Sequence, residues 1–183
     1  MNIQFLFFRA ISAGRLYLIS LLDRKKLVLS GRLKDYDVAL DTKIRIGNNG
    51  KMKLGSFSSE SNVHLTAWGG QLEIGNGCSF NRNDIIIARK NTRIGKGTLL
   101  GPNVCIYDHD HAFGTEGIIK DEMTYGAISI GNNVWIGAGT IILKNTTIGD
   151  NCVIGAGCVV SGEIPACSLV TATNRILKIT PLG

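Results

Sequence analysis

Residues Ile130 to Pro165 read as six consecutive hexapeptides: IGNNVW, IGAGTI, ILKNTT, IGDNCV, IGAGCV and VSGEIP. An aliphatic residue opens each unit, at Ile130, Ile136, Ile142, Ile148, Ile154 and Val160, and glycine follows it in four of the six. A strict short repeat decides the architecture before any local propensity does. A period of six matches neither the helical repeat nor a series of hairpins. It matches a flat-sided coil in which each hexapeptide supplies one short strand and one corner. Three units then close a triangle, and successive coils stack with their strands parallel. The fold class expected is an all-β solenoid, a parallel β-helix of hexapeptide repeats.

Side-chain parity follows from that reading. Alternate residues of a strand share a face, so Val134 and Ile136 are expected inside and Trp135 outside. Likewise Cys152 and Ile154 point in and Val153 out. The corners Gly131-Asn132-Asn133 and Gly149-Asp150-Asn151 supply residues that tolerate left-handed backbone angles. The outward positions are Ser129, Trp135, Ile141, Thr147, Val153 and Val159. Residues three hexads apart share a side of the triangle, which pairs Ser129 with Thr147, Trp135 with Val153, and Ile141 with Val159. One side is polar and two are apolar. A chain with two uncovered apolar sides is expected to associate, and two different sides suit a head-to-tail contact that closes into a ring.

Composition sets outer bounds. At 183 residues the chain is one domain with modest extras. Its five cysteines are an odd number and form no extracellular framework. Cys152 and Cys158 fall on inward positions as small core residues, and a reducing cytoplasm is the natural compartment. A net charge of +6 favours anionic partners, such as a phosphate-bearing cofactor or an acidic glycan. The basic residues are scattered singly, without the aromatic interleaving or helix motifs of nucleic-acid readers, so no nucleic-acid partner is expected.

Along the chain, residues 1–26 form an N-terminal segment, 27–168 the coil, and 169–183 a tail. Ile3 to Leu22 is apolar but carries Arg9 and Arg15, and Asp23-Arg24-Lys25-Lys26 follows. Two arginines argue against a membrane span, and no small-residue cleavage site marks a secretory leader. One or two amphipathic helices remain. They pack against the end or side of the coil, as solenoid caps do, or lie in a membrane interface with Phe5, Phe7 and Phe8 dipping in and the basic cluster at the lipid phosphates. The second reading makes the protein cytoplasmic with peripheral contact at the inner membrane. From Leu27 to Leu72 the repeat is blurred, and Ser56 to Gly70 breaks its phase. Hexads resume at Ile74, Phe80 and Ile86, slip by two, and return at Ile94, Leu100 and Ile106. A loop over residues 107–129 then carries no hexad signature and holds His109 and His111, two of the chain's three histidines. A long excursion from a regular solenoid points to function.

The string GNNVWIGAGTIILKNTTIGDNCVIGAGCVVSGEIP resembles the C-terminal half of the hexapeptide-repeat acyltransferases, and the similarity runs from about Leu72 to Ser168. That family includes galactoside and maltose acetyltransferases and the O-acetyltransferases that decorate capsular and lipopolysaccharide sugars. The resemblance implies a left-handed coil, acetyl-coenzyme A as acyl donor, a sugar hydroxyl as acceptor, no metal, and a homotrimer. It places the catalytic histidine at His109, which opens the long loop just after a strand. His111 has the same parity two residues on and is the other candidate, otherwise lying on the substrate side. Asp108 and Asp110 could orient the imidazole, but the family often leaves that to a backbone carbonyl, so neither is given a catalytic role. The matching oxyanion donor is the backbone N–H of Ala138. Ala138, Ala156 and Ser161 would form a track of small residues for the pantetheine arm. Trp135 would stack on the cofactor or fill a subunit interface. Asn81 in CSFNRND matches the sugar-site asparagine, or is an asparagine turn. Arg175 would supply the basic residue of the tail, although TATNR lacks the family's Gly-x-Pro turn.

Histidine suits the base because its ordinary pKa lies near working pH. No Gly-x-Ser-x-Gly elbow is present, which favours direct transfer in a ternary complex. Three rival readings stand beside this one. A zinc-dependent carbonic anhydrase of the same fold would use His109 and His111 with His64 as third ligand. An N-acetyltransferase would take an amino sugar, and a non-catalytic scaffold would need no His-bearing loop.

Overall fold

The computed structural model describes residues 3–172, with side chains from Ala10 onward. An α-helix, Ile3–Leu22, precedes short parallel strands that wind as a triangular prism. The first face begins with Leu27–Leu29, Lys51–Leu54, Gln71–Ile74 and Asn91–Ile94 and continues through Ile128–Ile130. The second is a seven-stranded sheet running from Asp37–Val38 to Leu169–Val170. The third holds Lys43–Gly47, His64–Trp68, Ile85–Ala88 and Cys105–Tyr107. Strands Ile141–Ile148 and Val159–Ile164 bend round the third corner and so join the third face to the first.

The hexad aliphatics form the interior. Ile74, Phe80, Ile86, Ile94, Leu100 and Ile106 are all buried, as are Ile130, Val134, Ile136, Cys152, Ile154 and Cys158. Trp135 is 56% exposed, in keeping with its parity. Register pairs Ser129 with Thr147, Trp135 with Val153 and Ile141 with Val159, so the three expected sides are the three faces. All five cysteines are free thiols.

The blurred region is regular in space. Ser56 to Gly70 does not leave the coil: Phe57–Ser59 and His64–Trp68 lie in register on the second and third faces. What differs is coil length. Met52 pairs with Leu72 and Phe57 with Cys78, advances of 20 and 21 residues, whereas Ile128 pairs with Thr146, an advance of 18. The extra residues sit in the corners, so the strands stay in phase while the sequence period slips.

Corner chemistry divides between two residue types. Asn133 and Asn151 adopt φ of 53° and 58°, and among the described residues eight of the ten non-glycine positions at positive φ are asparagines. Asparagine reaches this region because its short side chain bonds locally. Side chains then ladder from coil to coil, Asn62 to Asn83 at 3.0 Å and Asn83 to Asn103 at 3.1 Å. Gly131, by contrast, is needed for closeness: a Cβ there would stand 2.7 Å from the Asp150 backbone nitrogen. The glycines that follow the hexad isoleucine thus allow coils to stack, and the asparagines make the turn.

The helix caps the N-terminal end. Ser12, Ala13 and Leu16 are buried against the first coil, and Tyr17 meets Tyr36 edge-on with ring centroids 6.1 Å apart. From there an edge-to-face ladder, Tyr36 to Phe57 to Phe80 at 5.7 Å per step, carries aromatic packing into the prism. No helix among the described residues is long and apolar enough to cross a membrane.

Candidate active site

The excursion in the sequence is an antiparallel hairpin, His109–Gly114 with Gly117–Tyr125, standing on the corner between the third and first faces. It leaves directly from strand Cys105–Tyr107 and returns into Ile128–Ile130. Asp108 is the hinge residue. It is fully buried, and its carboxyl accepts from the backbone nitrogens of Arg89 (2.7 Å) and Lys90 (2.9 Å) and from the Thr92 hydroxyl (3.2 Å). Its own carbonyl accepts from Gly126 N at 2.9 Å, which closes the base of the hairpin.

His109 rises from this fixed point. Its Nδ1 lies 3.3 Å from Asp108 Oδ1, and its side chain is only 13% exposed. A carboxylate whose two oxygens between them receive two backbone N–H groups and a hydroxyl is ionised and acts only as an acceptor. Nδ1 therefore donates, which leaves the Nε2 lone pair free to take a proton. Burial lowers the His109 pKa from its ordinary value; Asp108 opposes that and Arg89 adds to it. Tyr107 packs edge-on at 6.1 Å, its phenol raised to about 12 by burial and the Cys105 side chain. It stays protonated at neutral pH and does not compete as a base.

The structure separates the two loop histidines. His111 is exposed opposite Met123, and among the described residues it has no hydrogen-bond or ion-pair partner. Asp110 pairs with Lys144 at 2.9 Å, pinning the hairpin to the next coil. His64 lies on the third face two coils away, with Nε2 3.0 Å from Asn62 Oδ1. The three histidines do not converge within one chain, and no three His, Cys, Asp or Glu side chains among the described residues group as metal ligands.

The other sequence candidates occupy a different edge. Ala138 and Ala156 stack at the corner between the second and third faces, where a Cβ on Gly137 would lie 2.5 Å from Ala156 N. Among the described residues the Ala138 N–H makes no backbone hydrogen bond, while its carbonyl accepts from Gly157. A Cβ on Gly139 would meet nothing within 4 Å, so the space beside Ala138 is open. Asn81 sits on the same corner two coils away. Its side-chain oxygen accepts from the neighbouring Arg82 N at 2.8 Å. Trp135 stands outward on the second face between Leu99 and Val153. Ser161 departs from expectation: it lies on the corner between the third and first faces, off the Ala138–Ala156 track. Arg175 lies outside the described residues. Within one chain the third face separates His109 from Ala138, on the order of 15 Å at about 3.3 Å per strand residue. The cavities of 650, 410 and 320 Å³ all flank the cap helix and include none of these residues.

Relatives place this geometry in a family. The profile described as bacterial transferase hexapeptide (six repeats) matches residues 127–162. A putative lipopolysaccharide biosynthesis O-acetyl transferase, WbbJ of Escherichia coli K12, is 31% identical over 136 residues, covering 68% of this chain and 69% of that protein. The chain belongs to the bacterial hexapeptide transferase family. Nodulation protein L of Rhizobium meliloti is 43% identical over 98 residues, 54% of each chain, so this chain spans about half the length of that relative. A galactoside acetyltransferase solved in complex with coenzyme A is 25% identical, with a TM-score of 0.53 over 92% of this chain and 78% of that one. A coil of opposite hand does not superpose in this way, so the prism has the left hand that the resemblance implies.

Asp108 is the residue that sequence reasoning set aside. Its signal was position alone, the residue directly before His109. Only the structure shows its carboxyl turned inward onto the corner and the imidazole together.

Proposed function

We propose that this protein is an acyltransferase that moves an acetyl group from acetyl-coenzyme A to a sugar hydroxyl, in the synthesis of a surface polysaccharide. The observation that carries the reading is the Asp108–His109 pair on the hairpin corner, with Nδ1 held at 3.3 Å and Nε2 free. His109 Nε2 takes the acceptor hydroxyl proton as that oxygen attacks the thioester carbonyl. The tetrahedral oxyanion is met by the Ala138 N–H, a preorganised donor of a kind that contributes about 3 kcal/mol. Collapse breaks the carbon–sulfur bond, and the imidazolium returns its proton to the leaving thiolate. Trp135 and the small residues at Ala138 and Ala156 border the path of the pantetheine arm.

The site is shared between copies in a homotrimer, since one chain holds His109 and Ala138 on different edges. The similarity to WbbJ, described as a putative O-acetyl transferase, favours a hydroxyl over the amine of an amino sugar. The same reading places the protein in the cytoplasm, with residues 1–26 touching the inner membrane.

Turnover of acetyl-coenzyme A against a panel of galactosides, glucosides, amino sugars and short surface polysaccharides tests this function. Acetyl ester formed on a sugar oxygen is the expected product. Amide formed only on amino sugars would replace the acceptor class, and no turnover with any acyl donor would overturn the enzyme reading. For the shared site, His109→Ala and Ala138→Pro are each expected to be inactive. Mixing and reassembling the two should restore activity, and mixtures that remain inactive would return both groups to one chain.

A further inference from the structure

We propose that the N-terminal cap is a docking surface for an anionic phospholipid bilayer. The exposed face of the helix enters the interface, and a collar of basic side chains holds it to lipid phosphates. This deepens the membrane contact proposed above and does not depend on the acyl-transfer chemistry.

The helix is amphipathic in an unusual sense, because the side away from the coil is also apolar. Ile11, Leu18 and Leu22 follow one another at intervals of seven and four along that side, with Leu21 beside them. They are 46%, 58%, 79% and 58% exposed, respectively. Ser12, Ala13 and Leu16 on the opposite side are buried and already fix the helix to the prism. Much of the surface of the outer leucines is left uncovered by the cap. Arg15 borders the same side, but its guanidinium turns back onto the carbonyls of Leu40 and Thr42. The apolar surface continues past the helix: one groove of 320 Å³ joins Leu21, Leu27 and Val28, and another of 650 Å³ joins Ala10, Ala13 and Leu33.

Charge says what covers this surface. The first 45 residues carry nine Lys and Arg against four Asp and Glu, five of the chain's six net positive charges in a quarter of its length. These charges border the apolar surface. Arg24 lines the smaller groove, Arg32 and Lys34 line the larger, and Lys43 and Arg45 line a third cavity, of 410 Å³, beside Arg15. Lys26 is paired with Asp23 and Arg32 with Asp35, but Arg24 and Lys25 have no ion pair among the described residues. A second copy would bring the same positive collar and be repelled. A purely apolar partner would leave the collar unused. An anionic lipid surface satisfies both parts, since interfacial helices combine apolar insertion with electrostatic attraction, and each basic residue near the headgroups strengthens the contact.

Flotation of the full chain with vesicles tests this, using phosphatidylcholine alone and an equal mixture with phosphatidylglycerol. The protein should float with the mixed vesicles, stay behind with the neutral ones, and be released by raised salt. Leu18→Asp with Leu22→Asp should cut the bound fraction about tenfold or more, and Arg24→Glu with Lys25→Glu should cut it similarly. Both variants should keep the wild-type circular dichroism and turnover on a water-soluble acceptor, because neither touches the prism core or the hairpin. Failure of the folded wild type to float would overturn the proposal, as would equal binding to neutral and anionic vesicles. If the leucine variants change self-association while the wild type ignores vesicles, the face is a contact between copies. An inactive chain that still floats would count against the acyltransferase and leave the lipid surface standing.

Discussion

At the residue scale, the chemistry turns on which protonation state of His109 the hairpin corner holds. Burial disfavours the imidazolium, and the Asp108 carboxyl only partly offsets it, so the pKa falls below the ordinary histidine value of about 6.5. A general base works when neutral. The kcat/KM should therefore rise through that lowered pKa on the acid side and be level across neutral pH. His109→Ala should reduce turnover by about two to four orders of magnitude with coenzyme A affinity little changed, the usual range for a positioned base. His111→Ala should cost far less, because that ring is exposed. Reversal of the two outcomes would move the base two residues along the hairpin. Asp108→Asn removes the main influences that raise the His109 pKa and leaves the weaker one of Asp110, so the acid limb should shift further down while kcat at neutral pH falls about tenfold or more. A solely structural Asp108 would lower stability and leave the limb in place.

At the element scale, the corners hold the information that the strands do not. Asp84 lies buried in the corner after Phe80, accepting from Asn81 N at 2.7 Å and Val104 N at 2.9 Å. Burial nonetheless raises its carboxyl to about 7. Between the ordinary carboxyl value and about 7 the folded chain keeps a proton that the unfolded chain has released. Stability should then decline as pH rises through that window, by roughly 4 kcal/mol in all, and level off above it. Asp84→Asn should flatten this slope, as read from urea midpoints at about pH 5 and about pH 8; an unchanged slope would assign the dependence to other groups. The sequence could not announce such a residue, because CSFNRND looks like any polar turn. It did announce the strands: a period of six and parity two placed Trp135 outside and Cys152 and Cys158 inside. It lost the coil between Ser56 and Gly70 because corner length, which is free to vary, masked strands that stayed in register. The hairpin was visible only as missing periodicity. That absence marks where the chain leaves the prism, and it carries no trace of the antiparallel pairing that fixes His109 over Asp108.

At the scale of the whole molecule, the three faces differ along their length as well as from one another. After Val28 the first face is polar, with Lys53, Glu73, Arg93, Ser129 and Thr147 in one outward column. The second begins with Asp37, Ser58 and Ser79 and then turns apolar at Leu99, Trp135, Val153 and Leu169. The third changes likewise, from Lys43 and His64 to Ile85, Cys105, Ile141 and Val159. Two apolar half-faces at the same end of the prism suit a head-to-tail contact, which closes when the rotation allows. The hairpin leaves the prism at this level, and Phe113 and Ile118 near its tip are exposed. A ring of three copies would cover all of these, and would leave the charged N-terminal ends together on one side, free to meet a membrane. Sedimentation should therefore show a trimer for the full chain. Val159→Asp and Trp135→Asp each place a charge on one contacting half-face without entering the core, so the monomer should keep its circular dichroism while the trimer dissociates. Turnover should fall in step with the trimer fraction as protein is diluted. A monomer that is fully active at assay concentration would sink the shared site and require His109 and Ala138 to act within a single chain.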